Sequence, residues 1–290
     1  MNLYLAVSHT KQHIQMMKRL SVRNMLISFH YFKSFDTFLE YTENWLPENL
    51  IIDSGAFSVW TAKGTIDIDE YIAFCKTVQI KVKQYNEEKK AKTNVYFVNL
   101  DVLPGNYGRI PSATEREESA SKGWENMIYI THAGIRVIPV YHQHEDIRWL
   151  KRMMTFTDYI GISPANDASQ KSKQVFLSNV FAITKADVKT HGFAVTSLDT
   201  LLKFPFYSGD SSSWAAGGRY ARIPVFKGGK FSSVEFKDKT QVSKLFKNSR
   251  IKSTELFNSY MLRMEQGILA YQDAEKFITN VWLQRGIKWD

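Results

Sequence analysis

The sequence is poor in cysteine, because its 290 residues contain only Cys75. One thiol excludes an internal disulfide, and it excludes a structural zinc site built from several thiolates. A chain without disulfides is typical of a reducing compartment, so we expect a cytoplasmic protein. Cys75 lies within a helical apolar pattern, which favours burial in the core over a role as a nucleophile.

Long apolar runs are absent as well. No stretch approaches the roughly 20 apolar residues that cross a bilayer, and the short apolar run at residues 1–7 has neither a basic lead-in nor a cleavage pattern. We therefore expect no membrane partner and no secretion. The chain also lacks low-complexity tracts, flexible linkers and internal repeats, which predicts one domain over residues 1–290.

The sequence has fewer acidic residues than basic ones, with 29 aspartates and glutamates against 38 lysines and arginines. The formal net charge is +9 and the isoelectric point is near 9.3. Lysine and arginine gain affinity for polyanions by releasing condensed counterions from phosphates, so this balance favours a nucleic-acid partner. An ordinary basic surface without such a ligand is the alternative.

Eight short runs rich in β-branched and aromatic residues alternate with longer polar segments. The runs span residues 3–7, 25–29, 50–53, 95–101, 137–141, 159–163, 191–195 and 206–210. Helical spacing is present at residues 68–83, 114–130, 146–154 and 170–184, with Ser112 or Thr114 as a helix cap. Alternating strands and helices predict a parallel sheet, and about eight units close it into a (β/α)8 TIM barrel of the α/β class. A doubly wound open sheet is the alternative.

Polar residues follow several of these strands at the point where each strand ends. Asp53, Asp101 and Asp210 stand at the ends of the third, fourth and eighth strands. The carboxyl ends of the strands meet at one mouth of a TIM barrel. In TIM-barrel enzymes the loops at that mouth form the active site. The sequence therefore predicts three carboxylates around a single cavity.

Each aspartate taken alone is equally explained as a helix cap or a turn residue. Three together suggest chemistry, because neighbouring carboxylates raise each other's pKa, so that one holds a proton while another stays ionised. Two such groups beside a sugar suggest displacement at its anomeric carbon. The alternative is a divalent metal held by these oxygens, which His142 and His144 could join.

Several motifs resemble those of the tRNA-guanine transglycosylase superfamily, whose members exchange guanine in a nucleic acid for a 7-deazaguanine. The stretches that carry the resemblance lie between about residues 50 and 222, and they read IIDSGAFSVW, YFVNLDVLPG, VIPVYHQHEDIRWL, DYIGISPAND and HGFAVTSLDTLLKFPFYSGDSSSWAAGGRY. Their strand-end aspartates and glycines fall where the family has its base-exchange motifs.

The resemblance implies a role for each matched residue. Asp210 would attack C1′ of the target nucleotide and form a covalent intermediate, and Asp53 would be the general acid and base. Asp101 would bind the edge of the base and Phe57 would stack on it. The remaining expected substrate contacts are Ser54, Gly55, His142, Gln143, Gly161, Ile162 and Ser163. No cofactor or metal is expected, and the second substrate would be a free 7-deazaguanine base such as preQ0.

The chain departs from the tRNA enzymes after the predicted nucleophile. Those enzymes carry a zinc site of several cysteines there, whereas this chain has a β-hairpin pattern near residues 220–236 with Gly228 and Gly229 at its turn. Little sequence follows for an added RNA-binding domain. This compactness resembles the phage-type enzymes that modify DNA, so DNA is the expected polymer and tRNA the alternative.

Basic and aromatic residues around the hairpin are expected to contact the nucleic acid. They are Trp214, Arg219, Arg222, Lys227 and Lys230. Two other functions remain open on the sequence alone: a non-catalytic nucleic-acid-binding barrel subunit, and a metal-dependent hydrolase that uses the same acids. The sequence does not fix the oligomeric state.

Overall fold

A parallel sheet forms the centre of the protein in a computed structural model that describes residues 1–7, 9–106, 108–165, 167–247 and 250–289. Its strands are β1 (Asn2–Ala6), β2 (Asn24–Ser28), β3 (Asn49–Asp53), β4 (Asn94–Val98), β5 (Val137–Ile138), β6 (Val140–His142), β7 (Tyr159–Ser163), β8 (Lys189–Gly192) and β9 (Ser208–Ser211). All eight expected strand regions are present.

Helices alternate with these strands. They are α1 (Lys11–Arg19), α2 (Phe35–Tyr41), α3 (Ala56–Thr61), α4 (Ile68–Lys89), α5 (Ala113–His132), α6 (Ile147–Phe156), α7 (Gln170–Thr184), α8 (Leu198–Lys203), α9 (Ala216–Arg219), α10 (Lys239–Leu245), α11 (Ser253–Asn258) and α12 (Tyr260–Gln284), with a 3₁₀ turn at Ser213–Ala215. The four helices predicted from spacing are confirmed, and α7 has the predicted bounds.

The sheet closes through a broken strand. Its hydrogen-bonded order is β5-β4-β3-β2-β1-β9-β8-β7-β6, so the two ends of the sheet are consecutive in sequence and are separated only by Pro139. Ile138 O accepts from Asn99 N at 2.9 Å and Pro139 O accepts from Gly161 N at 2.8 Å, so this segment connects the end of β4 to β7. Proline has no N–H, so it interrupts the ladder without opening the barrel. The (β/α)8 barrel is thereby confirmed.

Strand alternation sorts the side chains into two layers. Residues such as Leu5, Ile27 and Ile52 point outward into the main core beneath the helices. A smaller cluster inside the barrel contains Tyr4, Leu26, Ile51, Val98 and Val140. Polar residues that follow the inner cluster at a spacing of two therefore face the barrel interior at its carboxyl end.

The seventh barrel strand is displaced from its expected position. It spans Lys189–Gly192 rather than residues 191–195, because the chain turns sharply at Ala194, whose φ is +53°. A left-handed conformation is uncommon for a residue with a Cβ atom, and a strand cannot continue through it. The aromatic and β-branched character of Phe193 and Val195 reflects burial rather than strand pairing.

The amino-terminal part of α5 extends beyond the ends of the strands. Asn99 Nδ2 donates to Gly123 O and Asn126 Nδ2 donates to Leu100 O, both at 2.8 Å. The end of β4 thus lies beside the middle of α5, and about 15 Å of helix precedes this contact. Ser112 caps the helix in a capping box with Glu115, as expected. Helix α5 and the loop before it form a wall at one side of the mouth.

The expected hairpin consists of strands β10 (Arg222–Lys227) and β11 (Lys230–Glu235). Gly228 and Gly229 form its turn with φ of +59° and +70°, the left-handed pair that favours glycine in a two-residue hairpin loop. The hairpin has its own small core with α10, α11 and α12, which includes Ile223, Val234 and Val242.

No helix of the described residues is long and apolar enough to span a bilayer. Cys75 is fully buried in α4 among core side chains, as expected for a small apolar residue.

Candidate active site

Three aspartates converge inside the mouth of the barrel. Asp53 follows Ile51 by two residues on β3, and Asp210 follows Ser208 by two residues on β9, so both side chains face the interior. Asp101 lies three residues beyond β4. All three therefore lie at the carboxyl end of one barrel, and repulsion from the charges of Asp101 and Asp210 contributes to a raised pKa of Asp53.

Burial is the largest influence on Asp53. Burial, followed by the charges of Asp101 and Asp210, raises its pKa from 3.8 to about 7, although Ser28 and the N–H of Gly55 act in the opposite direction. Gly55 N donates to Asp53 Oδ2 at 3.0 Å. Gly55 has a φ of +88°, and a Cβ atom at this position would lie 2.5 Å from the Cβ of His30. Glycine is therefore required for the turn that places an N–H against the carboxylate.

Asp101 forms a buried triad with two residues of the fifth strand and its loop. Asp101 Oδ2 lies 2.8 Å from His142 Nε2, and Glu145 Oε1 lies 2.8 Å from His142 Nδ1. Burial lowers the pKa of His142, but the charges and hydrogen bonds of the two carboxylates outweigh it and raise the pKa to about 10. His142 is thus an imidazolium at neutral pH, and both of its N–H groups hold carboxylate oxygens in place.

Asp210 is fixed by the turn after β8. Ala194 N donates to Asp210 Oδ1 at 2.9 Å, and His191 Nε2 lies 3.4 Å from the same oxygen without forming a hydrogen bond. His191 is fully buried, and its Nδ1 pairs with Ser208 Oγ at 2.8 Å. Among the described residues nothing hydrogen-bonds to Asp210 Oδ2, so one oxygen is anchored and the other is available to a ligand.

A pocket of about 350 Å³ opens beside this cluster. Its walls come from the ends of β6 and β7, from α3, and from the loop that leads into α5. Both apolar and polar side chains line it, among them Phe57, Ile110, His142 and Ser163. The volume and the mixed lining fit a small heterocyclic ligand. None of the three aspartates lines the pocket. Asp101 adjoins it through His142, which lines the pocket and lies 2.8 Å from Asp101 Oδ2.

Phe57 has the environment expected of a stacking residue. Its side chain lines the pocket and is 43% exposed. Trp60 lies one turn further along α3 at a ring distance of 5.9 Å from Phe57, and its Nε1 donates to Gly105 O at 2.8 Å. Trp60 therefore fixes the loop before α5, whereas Phe57 leaves a ring face open.

Several expected substrate contacts have structural positions instead. Ser54 is fully buried, and its Oγ accepts from Ala56 N in the turn after β3. Ile162 points outward into the core beneath the helices, and its carbonyl accepts from Phe193 N. A Cβ atom on Gly161 would lie 2.5 Å from Cε2 of Phe193. The space at Gly161 is thus filled by the ring of Phe193, not kept open for a ligand.

The two candidates in the fifth-strand loop are already engaged. His142 is held at both ring nitrogens by carboxylates. Gln143 is buried, donates to Ser172 Oγ at 2.8 Å and accepts from Ala165 N at 3.0 Å. Both line the pocket, but their polar atoms bond to neighbouring groups. Ser163 also lines the pocket, and its hydroxyl forms no hydrogen bond with a described residue.

Trp214 is wrongly assigned to nucleic-acid contact by the sequence. It is fully buried, and its Nε1 donates to Ala6 O at 2.9 Å. Its backbone packs so tightly on α12 that a Cβ atom at Gly267 would lie 2.0 Å from Trp214 O. A Cβ at Gly217 would likewise lie 2.8 Å from Arg263 O. The run of small residues after Asp210 is therefore a close-packing feature.

The basic residues of the hairpin divide between the two ends of the barrel. Arg219 is exposed near the mouth, and Arg222 pairs with Glu235 across the hairpin at 3.6 Å. Lys227 and Lys230 flank the turn, and a Cβ at Gly229 would lie 2.8 Å from Phe277 Cζ. Thr279, two residues beyond Phe277, donates to Met1 O at 3.1 Å at the amino end of β1. The two lysines thus lie toward the end of the barrel opposite to Asp210, and their contact with the nucleic acid stays a prediction.

The hairpin and α12 support the segment after Asp210. Ser211 Oγ donates to Tyr271 Oη at 3.0 Å, and Phe231 of the hairpin packs on the Tyr271 ring at 4.8 Å. Arg263 Nε donates to Gly217 O at 3.1 Å. Hydrogen bonds and aromatic packing therefore fix this loop. Within the described part of the chain, no group of three or more histidine, cysteine or acidic side chains is arranged to hold a metal ion.

Three residues of the site were not predicted from the sequence. Glu145 and His191 are buried polar residues beside the aspartates, and Ala194 supplies an N–H to Asp210. The spacing of three between His142 and Glu145 is a weak signal for contact across a turn. Nothing in the sequence pairs His191 or Ala194 with Asp210.

No protein-family model matches the sequence, and no curated protein matches it significantly. The function therefore has to be inferred from the motifs and from the geometry of the site.

Proposed function

We propose that the protein is a base-exchange transglycosylase that replaces guanine in a nucleic acid with a 7-deazaguanine such as preQ0. The observation that carries this proposal is the convergence of Asp53, Asp101 and Asp210 at one barrel mouth, with the pKa of Asp53 raised to about 7. A group with a pKa near neutral can both give and take a proton at physiological pH. A neighbouring carboxylate with one free oxygen can act as a nucleophile.

The proposed reaction has two balanced steps. In the first, Asp210 Oδ2 attacks C1′, the bond from C1′ to the guanine nitrogen breaks, and the departing base takes the proton of Asp53. In the second, the Asp53 carboxylate removes the ring N–H proton of the incoming deazaguanine, whose nitrogen attacks C1′ and releases Asp210. Each step displaces one group at C1′, so the sugar returns to its original configuration. The nucleic-acid backbone is not cut.

Binding of the base is assigned to the pocket beside the aspartates. Phe57 offers an exposed ring face for stacking, and Ser163 offers a hydroxyl. Asp101 offers Oδ1, because its Oδ2 is held by His142. A carboxylate oxygen accepts the adjacent N–H groups on the edge of guanine or a deazaguanine, and its fixed orientation favours that edge over the edge of adenine.

DNA is the proposed polymer, and tRNA is the alternative. The target nucleotide must leave its stack to reach the barrel mouth, at a cost of a few kcal/mol that binding in the pocket must offset. The net charge of +9 supports a polyanionic substrate of either kind. The single cysteine excludes the thiolate zinc site of the tRNA enzymes, and a hairpin with α12 supports the same segment here.

Exchange of labelled base tests the proposal. The purified protein is incubated with labelled guanine and with either DNA or tRNA, and we expect label in one polymer without strand cleavage. Asp210→Ala should abolish both the label and a covalent protein–nucleic-acid adduct on a denaturing gel, while Asp199→Ala, an exposed acid at the start of α8, should retain both. Full exchange by Asp210→Ala would remove the nucleophile assignment. A wild-type protein that binds but never incorporates label would be a binding subunit.

A further inference from the structure

The rim of the barrel has two arcs between Asp53 and Asp210. Along the longer arc, from β3 through β4, β6 and β7, lies the pocket proposed for the base. Along the shorter arc, β2 and β1 stand between β3 and β9. The loops that follow β1 and β2 are therefore the ones that lie between the two proposed reacting carboxylates.

If the proposed function holds, the covalent structure of a nucleotide predicts what binds along this shorter arc. In a nucleotide the base is attached at C1′, whereas the phosphates are attached at C3′ and C5′ on the far side of the sugar. A base in the pocket, with C1′ between Asp53 and Asp210, directs the phosphates toward the loops after β1 and β2. The adjoining nucleotides of the strand must leave the site in that direction.

An exposed aromatic pair occupies these loops. Tyr31 is 52% exposed and stacks on the ring of His9 at 5.6 Å with an interplanar angle of 21°. His30 packs edge-on against Tyr31 at 4.8 Å. The turn is fixed by the bond from Tyr31 N to Ser28 O at 3.1 Å and by the contact of His30 with Gly55. We call the paired rings of His9 and Tyr31 the His9–Tyr31 platform.

Cationic groups adjoin the platform. Arg219 is exposed and forms no ion pair with a described residue. His13 of α1 packs edge-on against Trp214, in the segment that leads to Arg219, at 6.1 Å, and burial, followed by the charges of Arg219 and His9, lowers the pKa of His13. Lys33 is exposed and lies over the Phe29 ring at 3.8 Å, while Lys11 is neutralised by Glu40. The shorter arc thus combines a ring face with the positive charges of Arg219 and Lys33, neither of which forms an ion pair with a described residue.

We propose that the His9–Tyr31 platform binds the nucleotide next to the exchanged guanine, with that nucleotide's base stacked on Tyr31 and its phosphate bound by Arg219. Stacking on an aromatic ring holds single-stranded nucleic acid without reading its sequence, because every base has a ring face. The platform is already ordered by His9, so little conformational entropy is lost on binding. It holds the polymer while the neighbouring base is exchanged in the pocket.

Binding of short oligonucleotides tests the platform separately from catalysis. Single-stranded DNA and RNA with one central guanine are titrated by fluorescence anisotropy against wild-type protein, Tyr31→Ala and Tyr31→Phe. We expect Tyr31→Ala to weaken binding by about ten-fold or more and Tyr31→Phe to retain it. The control is Tyr129→Ala, because Tyr129 is 51% exposed on the outer face of α5. Thermal unfolding verifies that each variant is folded.

An abasic position in the oligonucleotide locates the stacked base. Removal of the base on one side of the guanine should weaken wild-type binding as much as Tyr31→Ala does, and it should have no further effect on that variant. Arg219→Gln should reduce the slope of log affinity against log salt by about one, whereas Tyr31→Ala should leave the slope unchanged.

The outcomes separate this proposal from the proposed function. Tyr31→Ala binding within two-fold of wild type, or additive losses from Tyr31→Ala and both abasic oligonucleotides, would overturn the platform even if exchange proceeds. Failure of wild type to bind either polymer at low salt would also overturn it. Platform-dependent binding without any base exchange would leave the platform standing and reject the transglycosylase. The polymer that binds more tightly through Tyr31 identifies the source of the nucleotide.

Discussion

The two ends of the barrel each contain a carboxyl group whose pKa is raised to about 7, but the surroundings of the two groups are opposite. At the carboxyl end, burial raises the pKa of Asp53, and the next two influences, Asp101 and Asp210, raise it further. At the amino end, burial raises the pKa of Glu275, and every other influence lowers it. Those opposing groups are Leu3 N–H, Arg23, the amino terminus and Asn24.

This difference separates the carboxyl group that we propose to be reactive, Asp53, from a structural one, Glu275. Glu275 Oε1 accepts from Asn24 Nδ2 at 2.7 Å, and Asn24, Asn49 and Asn94 continue as a hydrogen-bonded ladder across three strands. The amino end is therefore a satisfied polar network that joins α12 to the sheet. At the mouth like charges are held together without full compensation, which is typical of sites that do chemistry. A raised pKa alone therefore does not identify an active site. The charges of the neighbouring groups distinguish the two ends: like charges surround Asp53, whereas Glu275 is paired with donors and cations.

The largest expected effect is the loss of base exchange when Asp53 is replaced by its neutral amide, compared with the same replacement at Glu275. Asp53→Asn should lower the exchange rate by about 10²- to 10⁴-fold, because an amide cannot donate the proton to the departing base. Glu275→Gln should stay within about two-fold of wild type, because the amide keeps the acceptor for Asn24. Labelled-guanine incorporation measures both. Equal losses in the two variants would contradict the distinction between the two ends.

The dependence of exchange on pH follows from the proposed role of Asp53. Its folded pKa is about 7, and the first step needs the protonated form. We expect kcat/KM for the nucleic acid to fall about ten-fold for each pH unit above 7. Glu275→Gln should show the same profile as wild type. A profile that is flat from pH 6 to 9 would exclude Asp53 as the acid.

Glu145 should act on the base through His142 and Asp101. In Glu145→Gln the imidazolium loses one of its two carboxylates, so the pKa of His142 should fall and Asp101 should be oriented less firmly. We expect KM for the free deazaguanine to rise about ten-fold with a smaller change in kcat.

The loss in Glu145→Gln should be larger at pH 9 than at pH 7, because an imidazole with a lowered pKa is deprotonated at the higher pH. Steady-state kinetics at the two pH values provides the test. A purely structural role would change thermal stability and both kinetic constants without this dependence on pH.

The smallest expected effect is on stability. The folded pKa of Asp53 exceeds its unfolded value of 3.8, so the folded state binds more protons between about pH 4 and pH 7. Stability from this group is present at low pH and is lost as pH rises through 7. Asp53→Asn should therefore be more stable than wild type at pH 8, by on the order of 2 kcal/mol, and the difference should vanish near pH 4. Urea unfolding at the two pH values measures the change.

The elements of the fold were largely predictable from local sequence. Runs such as residues 25–29 and 159–163 are apolar on both faces because helices cover one side of the sheet and the barrel interior covers the other. Capping at Ser112 and the glycine pair at residues 228 and 229 are local chemistry and were predicted correctly. The seventh strand was misplaced because the partly buried Phe193 and the buried Val195 give the sequence the pattern of a strand.

The roles of individual site residues were less predictable. Ser54 and Ile162 are adjacent in sequence to proposed functional positions. Ser54, however, lies in the turn after β3, and strand alternation directs Ile162 into the core beneath the helices. The sequence predicts that Trp214 is exposed and contacts the nucleic acid. It is buried instead, because the small residues around it pack closely on α12. Lys227 and Lys230 follow the proposed nucleophile Asp210 closely in sequence, yet the hairpin places them toward the opposite end of the barrel.

The sequence by itself determined the alternation of strands and helices and the three aspartates at strand ends, because a strand's hydrophobic period and its polar ending are properties of neighbouring residues. Only the tertiary structure decided which groups act on those aspartates. Closure of the barrel brings His142 to Asp101 over 41 residues and Ala194 to Asp210 over 16. The depth at which each carboxylate is buried depends on that closure, and burial is what raises the pKa of Asp53 to near neutral.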